Sequence, residues 1–184
     1  MSKKILVLNG SPRPNGNTSA LISSFTKGAE SADAEVLQFD LHRMEIHPCL
    51  GCYCGGRSKE FPCVQIDEMQ EIYRAFHEAD VICFASPLYF WTICGQLKVA
   101  IDRLFAIAEC DSYYRYPPKE CVLLMAAEGN GFEEIIYWYE QLLKHVGWKN
   151  RGTVLCGNVR KTGDIEGNSK LEDAFRLGCL LGLS

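Results

Sequence analysis

The chain has 184 residues, 47% of them apolar and 23% charged, and carries a net charge of −4. One substantial core, and so a single domain over residues 1–184, is expected, while the negative balance argues against nucleic acid as a partner because phosphate backbones recruit excess Lys and Arg. No apolar run matches a membrane span or a signal-peptide core, and Cys83, Cys121 and Cys156, three of ten cysteines, lie inside apolar runs as small hydrophobes, so a reduced, cytoplasmic chain with no membrane partner is expected.

The first apolar run, Ile5-Leu6-Val7-Leu8, predicts a buried strand over 4–9. It leads into Gly10-Ser11-Pro12-Arg13-Pro14-Asn15-Gly16-Asn17-Thr18-Ser19, after which Leu21, Ile22 and Phe25 mark a helix over 18–30. A strand that ends in glycines, hydroxyls and an arginine and then opens a helix is suited to an anion. The unpaired amides of the first helical turn point at it and the helix dipole favours its charge. Spacing excludes two familiar loops. A nucleotide-triphosphate loop needs Gly-Lys-Ser/Thr, but Asn17 follows Gly16, and prolines occupy the stretch where a dinucleotide fingerprint needs glycines. A single terminal phosphate, as on a mononucleotide, remains. The alternative is an ordinary connection capped by Asn17 or Thr18.

Further along, strands are predicted over 34–39, 80–86, 120–126 and 152–157, and helices over 67–78, 94–108, 131–146 and 169–181. Asp67 opens the second helix, whose inner face carries Met69, Ile72, Tyr73 and Phe76. The third has a stripe of Leu97, Ala100, Ile101, Leu104 and Ala108. The fourth has Phe132, Ile135, Ile136, Tyr139, Leu142, Leu143 and Val146, and the last should turn Leu171, Phe175 and Gly178 inward. Strict alternation of five strands and five helices predicts a three-layer α/β sandwich around a parallel sheet. Residues 40–66, with four cysteines, and 109–119 are longer than such connections need, which makes them candidate walls of a site.

The third strand ends in Ser86-Pro87-Leu88-Tyr89-Phe90-Trp91 before Gly95-Gln96-Leu97-Lys98 enters a helix. Consecutive aromatics beyond a proline do not follow core periodicity, so some should be exposed, as a platform for a planar ring or as a closure of the core or of an oligomer interface. Together with the phosphate loop, this chain resembles the flavodoxin-like NAD(P)H-dependent FMN reductases and their iron–sulfur flavoprotein relatives. The resemblance covers residues 3–157. It rests on Gly10 to Thr18, on Cys49-Leu50-Gly51-Cys52 with Cys63 to Met69, and on Ser86 to Phe90 with Gly95 to Lys98, Asp102 and Arg103.

The resemblance implies a flavodoxin-like sheet of order 2-1-3-4-5, FMN at the point where strand order reverses, NADH or NADPH as electron donor, a small-molecule electron acceptor, and a homodimer or homotetramer. Carried over, Ser11, Arg13, Asn17, Thr18 and Ser19 would hold the FMN phosphate. Pro87, Leu88, Tyr89, Phe90 and Trp91 would border the ring, with Gly129 in a third, looser loop. Lys98, Asp102 and Arg103 would serve an interface or helix packing, and a solvated Lys98–Asp102 pair explains two of them without function. No catalytic side chain is assigned, because the cofactor carries the chemistry and no hydrolytic triad is recognisable. Iron–sulfur relatives space their cysteines Cys-x2-Cys-x2-Cys with a fourth close by. Here Cys49, Cys52, Cys54 and Cys63 are spaced x2, x1 and x8, which leaves a cluster, zinc, a redox thiol pair and inert thiols all open, with no metal ligand assigned. An electron carrier of the flavodoxin or iron–sulfur flavoprotein type is the alternative to a reductase.

Overall fold

The computed structural model describes residues 2–183. In chain order its elements are β1 (Lys4–Asn9), α1 (Asn17–Glu30), β2 (Glu35–Asp40), a 3₁₀ turn (Leu41–Arg43), α2 (Met69–Glu78), β3 (Val81–Pro87), α3 (Gly95–Arg103), α4 (Phe105–Ala108), β4 (Glu120–Ala126), α5 (Glu133–Val146), β5 (Lys149–Cys156) and α6 (Ser169–Gly182). The five strands form one parallel sheet in the order β2-β1-β3-β4-β5. This is the flavodoxin-like order expected. Strand order reverses at β1, so the connections leaving β1 and β3 diverge and open a crevice beyond their C-terminal ends.

Central strands covered on both faces are apolar through their middles, and β1, β3 and β4 are, with Lys4, Asn9, Ser86 and Glu120 confined to their ends. Side chains alternate between two cores. Ile5 and Val7 pack with Leu21, Phe25, Ala174 and Leu181 beneath α1 and α6. Leu6 and Leu8 pack with Ile72, Phe76, Leu97, Ile135 and Leu143 beneath α2, α3 and α5. No helix among the described residues is long and apolar enough to cross a membrane.

Three elements differ from the sequence pattern. The helix expected over 94–108 divides at Leu104, whose amide reaches both the Ala100 and Ile101 carbonyls at 3.1 Å as the turn tightens. β5 starts at Lys149, three residues early, because an edge strand needs no continuous apolar face; Arg151 is the extra residue of a bulge opposite Cys121 and Val122. In α6 the buried stripe is Ala174, Gly178 and Leu181, while Leu171 and Phe175 are half-buried. Close approach to α1 is the cause. A Cβ on Gly28 would overlap the Phe175 carbonyl, and one on Gly178 would overlap that of Phe25.

Candidate functional site

At the C-terminal edge of the sheet lies a hollow of about 360 Å³. The loops after β1, β3, β4 and β5 contribute to it. Ser11, Arg13, Gly16, Asn17 and Thr18 form one wall, Pro87, Leu88 and Tyr89 another, and Ala126, Ala127, Glu128, Val159 and Arg160 the third. Seven residues singled out from the sequence meet there. Ser19, Phe90, Trp91 and Gly129 stand outside that lining.

The loop after β1 is shaped by its own hydrogen bonds. Asn9 Oδ1 accepts the Ser11 amide at 3.0 Å, while Asn9 Nδ2 donates to Asp40 at 2.9 Å. Burial raises the Asp40 carboxyl, but hydrogen bonds from Asn9 and Gln38 outweigh it and hold the group below its ordinary range. The Arg13 carbonyl accepts the Gly16 amide and the Ser19 hydroxyl, at 3.0 and 2.9 Å. Ser19 therefore closes the loop from behind. Gly16, and neither Asn17 nor Thr18, is the residue before the helix, and no side chain caps it. The first helical amide with a carbonyl partner four residues back is Ala20, bonded to Gly16 at 3.0 Å. That leaves the amides of Asn17, Thr18 and Ser19 as the donors of the first turn.

Arg13 Nη1 donates to the Arg160 carbonyl at 3.1 Å and Asn17 Nδ2 to the Lys161 carbonyl at 2.9 Å, so the loop after β5 is tied to the start of α1. The Arg160 guanidinium stands 3.4 Å from Glu128, both ends open to solvent. A pair so exposed contributes little and opens readily. Arg160 was missed in the sequence, where its only signal was a basic pair, Arg160-Lys161, just past the last strand, and Glu128 lies in the third loop, from which Gly129 alone was singled out.

Beyond β3, the Leu88 amide donates to the Ala126 carbonyl at 3.0 Å. Tyr89 and Thr92 then exchange both backbone hydrogen bonds, at 3.0 and 3.1 Å, around a two-residue turn with φ of +48° at Phe90 and +61° at Trp91. Turns of that kind ordinarily take Asn and Gly. An L side chain in that region costs roughly 1–2 kcal/mol. Phe90 is 92% exposed, and Tyr89 and Trp91 are also open to solvent. Replacing Phe90 by Asn together with Trp91 by Gly is expected to raise stability by about 1–3 kcal/mol in urea unfolding, through relief of that strain, while weakening any planar ligand that uses the aromatics. An unchanged midpoint would mean that the turn carries no strain.

The two long connections do meet, but around another cavity. Residues from Cys49 to Gly55, with Cys63 and Gln65, and the two ends Glu109 and Tyr116 of the second connection border about 470 Å³ against α3, α4 and α5. Tyr114 stacks on Phe105 at 6.0 Å and Arg115 pairs with Asp111 at 3.0 Å, so this aromatic segment does not border the hollow. The Lys98–Asp102 pair is exposed at 2.6 Å, as a solvated helix face requires. Arg103 is different. Its side chain is 0% exposed and forks onto Asp67, 2% exposed, at 2.6 and 3.1 Å, and it also donates to the His47 carbonyl at 2.8 Å.

A family model described as NADPH-dependent FMN reductase matches residues 3–159. An iron–sulfur flavoprotein of Methanosarcina thermophila is 34% identical over 92% of this chain and 85% of its own. Another, from Methanocaldococcus jannaschii, is 37% identical over 54% of this chain and 51% of its own. The chain spans about half the length of the first curated relatives it matches. Among solved structures, an NAD(P)H:quinone oxidoreductase from Methanothermobacter marburgensis superposes with a TM-score of 0.72 at 20% identity, covering 98% of each chain.

Proposed function

The chain belongs to the NADPH-dependent FMN reductase family, and from that membership we propose that it is an oxidoreductase that holds FMN across the hollow and takes electrons from NADH or NADPH. They pass to a small acceptor such as a quinone, free flavin, azo compound or nitroaromatic. The observation that carries this reading is one hollow walled on one side by a helix N-terminus and on the other by the Pro87-Leu88-Tyr89 turn.

The residues fit the cofactor chemically. Three first-turn amides, the Thr18 and Ser11 hydroxyls and the Arg13 guanidinium suit the phosphate, with Ser19 bracing the loop. Arg160 adds a second guanidinium once it leaves Glu128. Asn17 Oδ1 is buried without a partner, an acceptor that a ribityl hydroxyl satisfies and a phosphate oxygen does not. Pro87, Leu88 and Tyr89 offer the ring an apolar border, which Phe90 and Trp91 extend from outside the hollow, and Gly129 leaves open space beside the third loop.

Bound FMN supplies hydride acceptance and electron return, so the protein needs no acid–base side chain. Its residues bind, orient and shelter. The exposed aromatic turn suits burial by a second copy of the chain, as a homodimer or homotetramer, and the ten free thiols suit a reducing, cytoplasmic setting. Anaerobic mixing with NADPH tests the reductase. Bleaching of bound flavin within seconds is the expected result, whereas flavin that stays oxidised while dithionite reduces it would identify an electron carrier.

A further inference from the structure

We infer that the loop over residues 49–63 keeps its four cysteines as free thiols and assembles no iron–sulfur cluster, although two relatives that match most of the chain are named iron–sulfur flavoproteins. A cuboidal cluster needs four thiolates converging on one small volume, which compact loops of the C-x2-C-x2-C kind achieve. Here one residue, Tyr53, separates the second and third cysteines, and eight separate the third from the fourth.

Tyr53 takes a left-handed conformation, φ +48°, and lies edge-on to Phe105 at 5.9 Å. Its neighbours consequently diverge. Cys49, Cys52 and Cys63 line the 470 Å³ cavity, but Cys54 does not; its Sγ donates to the Cys52 carbonyl at 3.1 Å. Cys49 Sγ accepts the Gly51 amide at 3.4 Å. Among the described residues, no three Cys, His, Asp or Glu side chains come together as a metal-ligand set.

Nor can the loop swing freely to bring them together. Glu109, at the end of α4, accepts the Gly55 amide at 3.1 Å, and a Cβ on Gly55 or Gly56 would overlap Glu109 itself. Gly55 thus holds the Glu109 carboxylate against the loop while Gly56 packs on the Glu109 main-chain carbonyl, and the carboxylate would repel the negative charge of a thiolate-ligated cluster. Asp67 and Arg103 tether the other side through both the amide and the carbonyl of His47. The consequence, resting on the reductase reading above, is that electrons leave the flavin directly for a small acceptor, with no one-electron relay inside the chain.

The full chain, produced anaerobically and incubated with ferrous iron, sulfide and a thiol reductant, tests this. After desalting, iron and acid-labile sulfide are expected to be substoichiometric, and iodoacetamide should alkylate the exposed Cys49, Cys52 and Cys54, mapped by mass spectrometry. Iron and sulfide retained in proportion to protection of these thiols would overturn the inference, as would retained iron without sulfide that protects them. FMN is counted in the same sample by fluorescence after heat release. Missing FMN would remove the proposed function and leave the thiol result standing, so the two failures are distinguishable.

Discussion

Replacing Arg103 by leucine is expected to cost about 3–5 kcal/mol, the range seen when one partner of a buried ion pair is removed. The guanidinium is fully enclosed; its two Nη atoms donate to both oxygens of Asp67 and to the His47 carbonyl, while its Nε is buried without a partner. Without it, a buried carboxylate loses its counter-charge and the cysteine loop loses one of its two tethers at His47. For a chain of this size each kcal/mol moves the melting temperature by roughly 2–4 °C, so a fall of at least about 6 °C should appear in thermal unfolding. A melting temperature unchanged within about 2 °C would show that the pair does not hold the fold.

The same pair sets an acid limit. Burial alone would raise the Asp67 carboxyl, but the Arg103 hydrogen bond and the amides of His47 and Met69 outweigh it and hold the group below 3.8. A carboxyl depressed by folding contributes stability in full above its unfolded value and loses it as pH falls through the folded one. The wild-type chain should therefore weaken progressively below about pH 4, with a shallower acid limb in Asp67→Asn. Urea midpoints measured across that window check it, and identical limbs would assign the acid sensitivity to other carboxylates.

Replacing Arg13 by alanine is expected to weaken FMN by roughly 10- to 100-fold, the loss of one charge-assisted hydrogen bond of about 1.5–3 kcal/mol. Riboflavin, which lacks the phosphate, should bind nearly as before. Arg13 is exposed, its guanidinium donates to a backbone carbonyl, and its main-chain bonds survive the substitution, so its removal threatens binding more than folding. Thr18→Ala should show the same bias toward FMN, with a smaller loss because a hydroxyl is neutral. Fluorescence titration of both ligands against both variants decides the matter. Equal losses for FMN and riboflavin would place the phosphate elsewhere.

What could be read from the residues alone was local. Ile5 to Leu8 predict a buried strand, Gly10 to Thr18 a loop suited to an anion before a helix, and Pro87 to Trp91 break core periodicity so plainly that exposure follows. Each signal is short, and with alternation they predict a parallel sheet covered by helices, whereas the strand order and the seven residues of the hollow came through the family resemblance. Tertiary structure decided the rest. Asp67 and Arg103 are 36 positions apart, and nothing in either neighbourhood announces that a helix-opening acid and a helix-ending base will be sealed together. Arg160 reaches the hollow only because β5 lies beside β4, and the inner face of α6 is set by how closely α1 approaches. The long loops looked like walls of one site and instead border a cavity separate from the hollow, since where a loop lies depends on which anchors it finds. Periodicity and turn chemistry act between neighbours along the chain, whereas ion pairs, helix contacts and loop tethers join residues that meet only once the sheet order has brought them into reach.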